Sequence, residues 1–224
     1  SADGTQTVLQ KNGIVVANGA DNLIGESGLG NLISGHKLVG VSIEGADSKG
    51  NQIQANLVGT TADGSAALPN NIGIALSKGA SANTIGGDAS TLGNLISGNN
   101  ASGVLVAEAA FSNKIQGNLI GLNRSGTLAL ANVMGVYIED GTSNRIGGGI
   151  VSHKNIISGN TSAGITLSNS KGAVPQQRSC NGTIIEGNWI GLSKDGLHTV
   201  PNGGPMPLSN AGIVLNYYAQ NTTI

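Results

Sequence analysis

One phrase, a glycine followed by apolar-x-apolar, returns along almost the whole chain, and a fixed period of this kind changes what every local pattern means. It reads Gly13-Ile-Val-Val, Gly40-Val-Ser-Ile, Gly73-Ile-Ala-Leu, Gly103-Val-Leu-Val, Gly135-Val-Tyr-Ile, Gly164-Ile-Thr-Leu and Gly212-Ile-Val-Leu, at intervals of 27, 33, 30, 32, 29 and 48 residues. Between consecutive members lie two further apolar pieces, each introduced by Asn. The first series is Asn22-Leu-Ile, Asn51-Gln-Ile, Asn83-Thr-Ile, Asn113-Lys-Ile and Asn144-Arg-Ile, with Thr183-Ile-Ile as a departing sixth member. The second is Asn31-Leu-Ile, Asn56-Leu-Val, Asn94-Leu-Ile, Asn118-Leu-Ile, Asn155-Ile-Ile and Asn188-Trp-Ile. These pieces are too short and too β-branched for helices. They predict an all-β parallel solenoid, three short strands per turn and about seven turns in a single domain over residues 1–224.

Each turn of such a coil lies on the one before at about 4.8 Å, which gives a rod of roughly 34 Å and stacks equivalent residues into ladders. The hand is right, as for nearly all parallel crossovers. Asn at a corner tolerates a left-handed backbone, and stacked amides hydrogen-bond along the ladder. Loops alternate: residues 25–30, 86–93 and 147–154 bulge in odd turns, and residues 60–71, 122–132 and 192–211 follow even turns. Residues 170–208 form an irregular insertion that holds four of the five prolines. Excursions from a fixed scaffold are where function usually sits.

Composition narrows the function classes. Only 10% of residues are charged, 11 basic against 12 acidic, so no basic field exists to collect nucleic acid. With 38% apolar residues the chain has the means to fold, yet its apolar runs never approach the roughly 18 residues of a bilayer span. Cys180 is alone, so no intrachain disulfide forms. Ser1-Ala-Asp-Gly-Thr5 repeats Thr61-Ala-Asp-Gly-Ser65, and Asn221-Thr-Thr-Ile224 stops where Asn83-Thr-Ile continues into Gly86. Both ends thus fall inside a repeat, and the expectation is a segment of a longer repeat protein, or a unit that stacks end to end on copies of itself.

The phrases Asn94-Leu-Ile-Ser-Gly-Asn99 and Asn155-Ile-Ile-Ser-Gly-Asn160, together with the Gly-Val/Ile-x-Ile strands, resemble the right-handed parallel β-helix repeats of the pectate-lyase-like superfamily. The resemblance covers essentially the whole chain and implies a fold rather than an activity. Lyases, hydrolases, epimerases, phage tailspikes and surface proteins share that fold.

In enzymes of that superfamily the cleft follows the outward face of one sheet. The outward centre of the first strand here is Val15, Ser42, Ala75, Leu105, Tyr137, Thr166 and Val214, with no acid, base or metal ligand. The next row is Ala17, Glu44, Ser77, Ala107, Glu139, Ser168 and Asn216. Glu108, Glu139 and Asp140 are the acids that the repeat places on adjacent turns, close enough for an acid and base pair in glycoside hydrolysis or for a shared calcium ion. The competing reading is a solvated strand end balanced by Lys78 or Lys114.

Polyuronate-cleaving relatives imply calcium-binding acids with a Lys or Arg base, whereas Arg124, Arg145 and Arg178 are scattered here. His36 replaces the last Asn of the Asn-Leu-Ile-Ser-Gly-Asn phrase and reads as a corner variant; His153 and His198 lie in loops without an obvious acid partner. Trp189 stands where other turns have Leu or Ile, which predicts burial in the rod, and Tyr137, Tyr217 and Tyr218 are the surface aromatics. No catalytic, cofactor or metal site is assigned. The sequence favours a secreted or cell-surface structural or adhesive solenoid without enzymatic activity. The second reading is a polysaccharide hydrolase or lyase, or a carbohydrate-binding module, with Glu108, Glu139 and Asp140 as candidate acids.

Overall fold

The computed structural model describes residues 10–169, 180–204, 211–216 and 219–224. The first turn is β1 (Asn12–Ala17), β2 (Leu23–Ile24) and β3 (Leu32–Ile33), and the second is β4 (Val39–Glu44), β5 (Gln52–Ile53) and β6 (Leu57–Val58). The third is β7 (Ile72–Ser77), β8 (Thr84–Gly86) and β9 (Leu95–Ile96), and the fourth β10 (Ser102–Val106), β11 (Lys114–Gln116) and β12 (Leu119–Ile120). The fifth is β13 (Met134–Glu139), β14 (Arg145–Gly147) and β15 (Ile156–Ile157), and the sixth β16 (Ala163–Ser168), β17 (Ile184–Glu186) and β18 (Trp189–Ile190). A seventh opens with β19 (Ala211–Leu215). Every third strand pairs in parallel, which makes one sheet of 7 strands and two of 6. We call them sheets A, B and C in the order the chain meets them.

Side chains alternate across each strand, so one row of each sheet points into the rod. Sheet A contributes the stacked pairs Val41 and Ile43, Ile74 and Leu76, Val104 and Val106, and Val136 and Ile138, all with no exposed surface. Sheets B and C add one inward residue per turn, Ile53, Ile85, Ile115 and Ile146 facing Val58, Ile96, Ile120 and Ile157. Branched aliphatic side chains of one shape, repeated at the stacking distance, pack the interior.

Three asparagine ladders run along the rod, where the repeat predicted two. Asn22, Asn51, Asn83, Asn113 and Asn144 form the first, ahead of sheet B, and Asn31, Asn56, Asn94, Asn118, Asn155 and Asn188 the second, ahead of sheet C. The third runs from His36 through Asn70, Asn99, Asn132 and Asn160 to Asn202 at the entry to sheet A. Its members are hidden in the sequence, because the long loops insert before Asn70, Asn132 and Asn202 and break their spacing. His36 is the corner variant that the sequence suggested: its Nδ1 lies 2.8 Å from Asn70 Oδ1.

The ladder asparagines do not themselves adopt the left-handed backbone. That conformation belongs to the preceding residue, as at Ala82, Ser112 and Ser143 ahead of the first ladder, with φ of 55°, 54° and 54°. Asn is selected by its amide. In the second ladder each Oδ1 accepts from the backbone N–H and the Nδ2 of the previous turn's Asn, and Nδ2 also donates to a carbonyl of that turn, as Asn118 does to Ile85 at 2.9 Å. Thr183, the departing member, leaves a buried hydroxyl without a partner.

The strand-opening glycines have a similarly local cause. A Cβ on Gly135 would stand 2.5 Å from the Gly164 carbonyl oxygen and 2.7 Å from Ile157 Cγ2, and Gly40, Gly73 and Gly164 meet the next turn in the same way.

Part of the irregular insertion, residues 170–179 and 205–208, lies outside the described residues, as do Arg178, Tyr217, Tyr218 and the Ser1 to Thr5 phrase.

Candidate functional site

The outward row of sheet A has the predicted register: Val15, Ser42, Ala75, Leu105, Tyr137, Thr166 and Val214 stand opposite one another along the sheet. The acids at its edge do not form a cluster of equals. Glu44 is bound to Lys78 at 2.8 Å, and this hydrogen bond and charge, aided by Glu108, push the Lys78 ammonium up. Glu108 is exposed and Asp140 is buried. Both occupy left-handed corner positions, with φ of 51° and 58°, in one column with Asn18 and Lys78. Glu139 pairs in register with Ser168, and burial together with the neighbouring Glu139 carboxylate pushes the Tyr137 hydroxyl up. Among the described residues no three His, Cys, Asp or Glu side chains stand close enough to share a metal ion.

The remaining candidates of the sequence are dispersed. Arg145 on sheet B binds Glu186 at 2.7 Å. Cys180 is a free, fully buried thiol that burial pushes up, which makes it a packing residue rather than a nucleophile. His153 ends the short 3-10 turn Val151–His153; His198 donates its backbone N–H to Ser193 Oγ, and the Ser193 hydroxyl in turn holds the Asp195 carboxyl below its ordinary value.

A groove of about 400 Å³ lies elsewhere, on the outer face of sheet C. Here the outward row is apolar: Leu57, Leu95, Leu119 and Ile156 form the floor. Trp189 continues that row, paired with Ile156, and is half-buried on the outside of the rod rather than inside it as its Leu and Ile equivalents suggested. The reason is register: in each sheet C pair the second residue, here Ile190, is the one that points inward. Lys154 Nζ covers the indole at 3.3 Å from the ring centre.

Two rows of loops wall the groove. The odd-turn loops lean over the even corners, where Ala55 N–H donates to the Leu92 carbonyl and Gly117 N–H to that of His153. On the other side the three long loops share one hairpin shape, closed by the antiparallel bridges Thr60 with Ala67, Leu122 with Ala129 and Leu192 with Thr199. They bond to each other across the intervening turn, Arg124 N–H to the Gly64 carbonyl at 3.0 Å and Lys194 N–H to that of Gly126 at 2.8 Å. Gly64 and Gly126 carry φ of 68° and 74°. A Cβ on either would strike the stem of the next loop's cation, Arg124 or Lys194 respectively.

Among the described residues, Arg124, Lys154 and Lys194 are the charged ones that line the groove, and no carboxylate lines it. The nearby Asp63 is satisfied inside its own loop, where Thr61 and Ser65 hydroxyls hold its carboxyl down at about 2. The sequence contained this site only indirectly. Arg124 and Lys194 occupy the same place in repeated loops, after Asn123 and Ser193, but the folding of those loops over sheet C is not encoded in any local pattern.

Strand order, parallel pairing and three strands per turn define a right-handed parallel β-helix. Among solved structures the chain is similar to the periplasmic alginate epimerase AlgG, with a TM-score of 0.51 at 15% identity over 95% of this chain and 48% of the epimerase. A double mutant of the same enzyme gives a TM-score of 0.50 at 12% identity over 95% of this chain and 48% of that one. The chain therefore spans about half the length of the epimerase, and the likeness is one of fold. No family model and no curated protein matches the sequence.

Proposed function

We propose that this chain is a secreted or cell-surface adhesive solenoid, a stiff rod that holds a polysaccharide along its side without transforming it. The observation that carries this reading is the groove on sheet C, with an aliphatic floor, two loop walls and cations from three separate loops. A polymer laid along the rod axis meets the same floor at every turn, which suits a repeating ligand. The similarity in fold to a periplasmic alginate epimerase supports a carbohydrate ligand. Electrophoresis through gels containing neutral or acidic polysaccharides tests it: retardation by at least one polymer is expected, and free migration through all of them removes the reading. Release of new chain ends that is lost in Glu139→Ala would replace it with the enzymatic reading.

End-to-end stacking is the second part of the proposal, and the direction of the ladders supports it. Asn31 donates to Asn56 and so on to Asn188, so a ladder presents acceptors toward the N-terminal side and donors toward the C-terminal side. Two copies placed head to tail match by that polarity. Sedimentation velocity over a wide concentration range should reveal association; a single species at every concentration contradicts it.

A further inference from the structure

We infer that the groove on sheet C selects linear polysaccharides that carry negative charge, and reads their charge at a two-turn spacing through Arg124 and Lys194. The inference rests on the adhesive reading above and adds the ligand's chemistry.

Arg124 and Lys194 hold equivalent positions in long loops that follow the fourth and sixth turns, so the rod sets them about 10 Å apart. Two linked pyranose rings in an extended chain span a similar length. Each cation is held by its stem over the glycine of the preceding long loop, Gly64 or Gly126, and Arg124 Nη1 also donates to the Ala62 carbonyl at 3.4 Å. Their heads are thereby left at the rim while their stems are ordered, which lowers the entropy lost on binding an anion.

Lys154 stands on the facing wall. Its ammonium rests on the Trp189 ring, which uses one face of the charge and leaves N–H donors for a ligand. Acidic groups in the groove thus meet cations on both sides and no carboxylate among the lining residues. Toward the first turn the lining is neutral, with Gly28, Ser90 and Thr91, and Ala62 occupies the position that Arg124 and Lys194 hold later. The charge reader therefore covers the fourth to sixth turns.

A polysaccharide fits better than an acidic peptide. The floor is the face of a parallel sheet whose backbone groups are paired within the sheet, so a peptide finds no strand edge to extend. Nucleic acid lacks its stacking platforms, since the one indole is covered by Lys154.

Trp189 is the protein's single tryptophan and lies beneath Lys154, which lines the groove, so its fluorescence reports on a ligand that engages that lysine. The test titrates the whole chain with alginate oligomers, dextran sulfate, neutral dextran and poly-glutamate at several salt concentrations. The expected result is a change in Trp189 emission with one or both anionic polymers. The logarithm of the affinity should fall linearly with the logarithm of the salt concentration, with a slope of about −2 for three cations. The arm that binds tells carboxylate from sulfate. Arg124→Ala with Lys194→Ala should weaken binding tenfold or more, with an unchanged circular dichroism spectrum confirming the fold. Ala62→Lys, which extends the array at an exposed position, should tighten binding of long oligomers severalfold. Equal, salt-independent binding of neutral dextran that ignores these variants overturns the charge reading and leaves the adhesive one standing. Binding of poly-glutamate with no polysaccharide bound overturns both.

Discussion

At the scale of single residues, the amide of asparagine explains more of this molecule than its backbone preferences do. Asn118 is 1% exposed, accepts from Asn94 N–H at 3.1 Å and Nδ2 at 2.9 Å, and donates to Ile85 and Asn155. Asn118→Ala strands those donors and a carbonyl inside the rod, where each unsatisfied group costs about 1–3 kcal/mol. We expect a loss of about 3 kcal/mol or more in chemical denaturation, while Asn100→Ala, at an exposed position, stays near zero. The sequence carried the first two ladders openly because each Asn stands directly before an apolar pair. It carried the third poorly, because only Asn99 and Asn160 keep the Ser-Gly-Asn phrase and the others follow loops of unequal length. Trp189 misled for a different reason: its place in the repeat was legible, but which of the two residues in a sheet C pair faces inward was decided by packing.

At the scale of elements, the strands were legible from alternation, and the outward row of sheet A followed from it without adjustment. The loops were legible as positions and not as shapes. Their similarity is visible in Thr61-Ala-Asp-Gly-Ser65 and Ser193-Lys-Asp-Gly196, but that they lie over sheet C depends on contacts between loops two turns apart. The glycine column sets how closely turns approach one another. Gly135→Ala places a Cβ against backbone and Ile157, neither of which can rotate away, so a loss of about 1–3 kcal/mol is expected from overpacking. Gly149→Ala meets nothing within 4 Å and provides the comparison; equal thermal midpoints for the two variants would show that the column is not close-packed.

At the scale of the whole molecule, the division of labour follows from the geometry of a coil. Its interior and its three ladders repeat identical contacts and supply stiffness, which frees the outside to vary. The face where a pectate-lyase-like enzyme works carries Val, Ser, Ala, Leu and Thr around one tyrosine here, whereas sheet C carries a walled apolar strip with three cations. The account thus turns on which face a polysaccharide occupies. Backbone and indole chemical shifts recorded by NMR during titration with an anionic oligosaccharide test this most directly. Shifts confined to Leu57, Leu119, Arg124, Ile156, Trp189 and Lys194 are predicted; shifts centred on Ser42, Leu105, Tyr137 and Glu139, with sheet C unchanged, would contradict it.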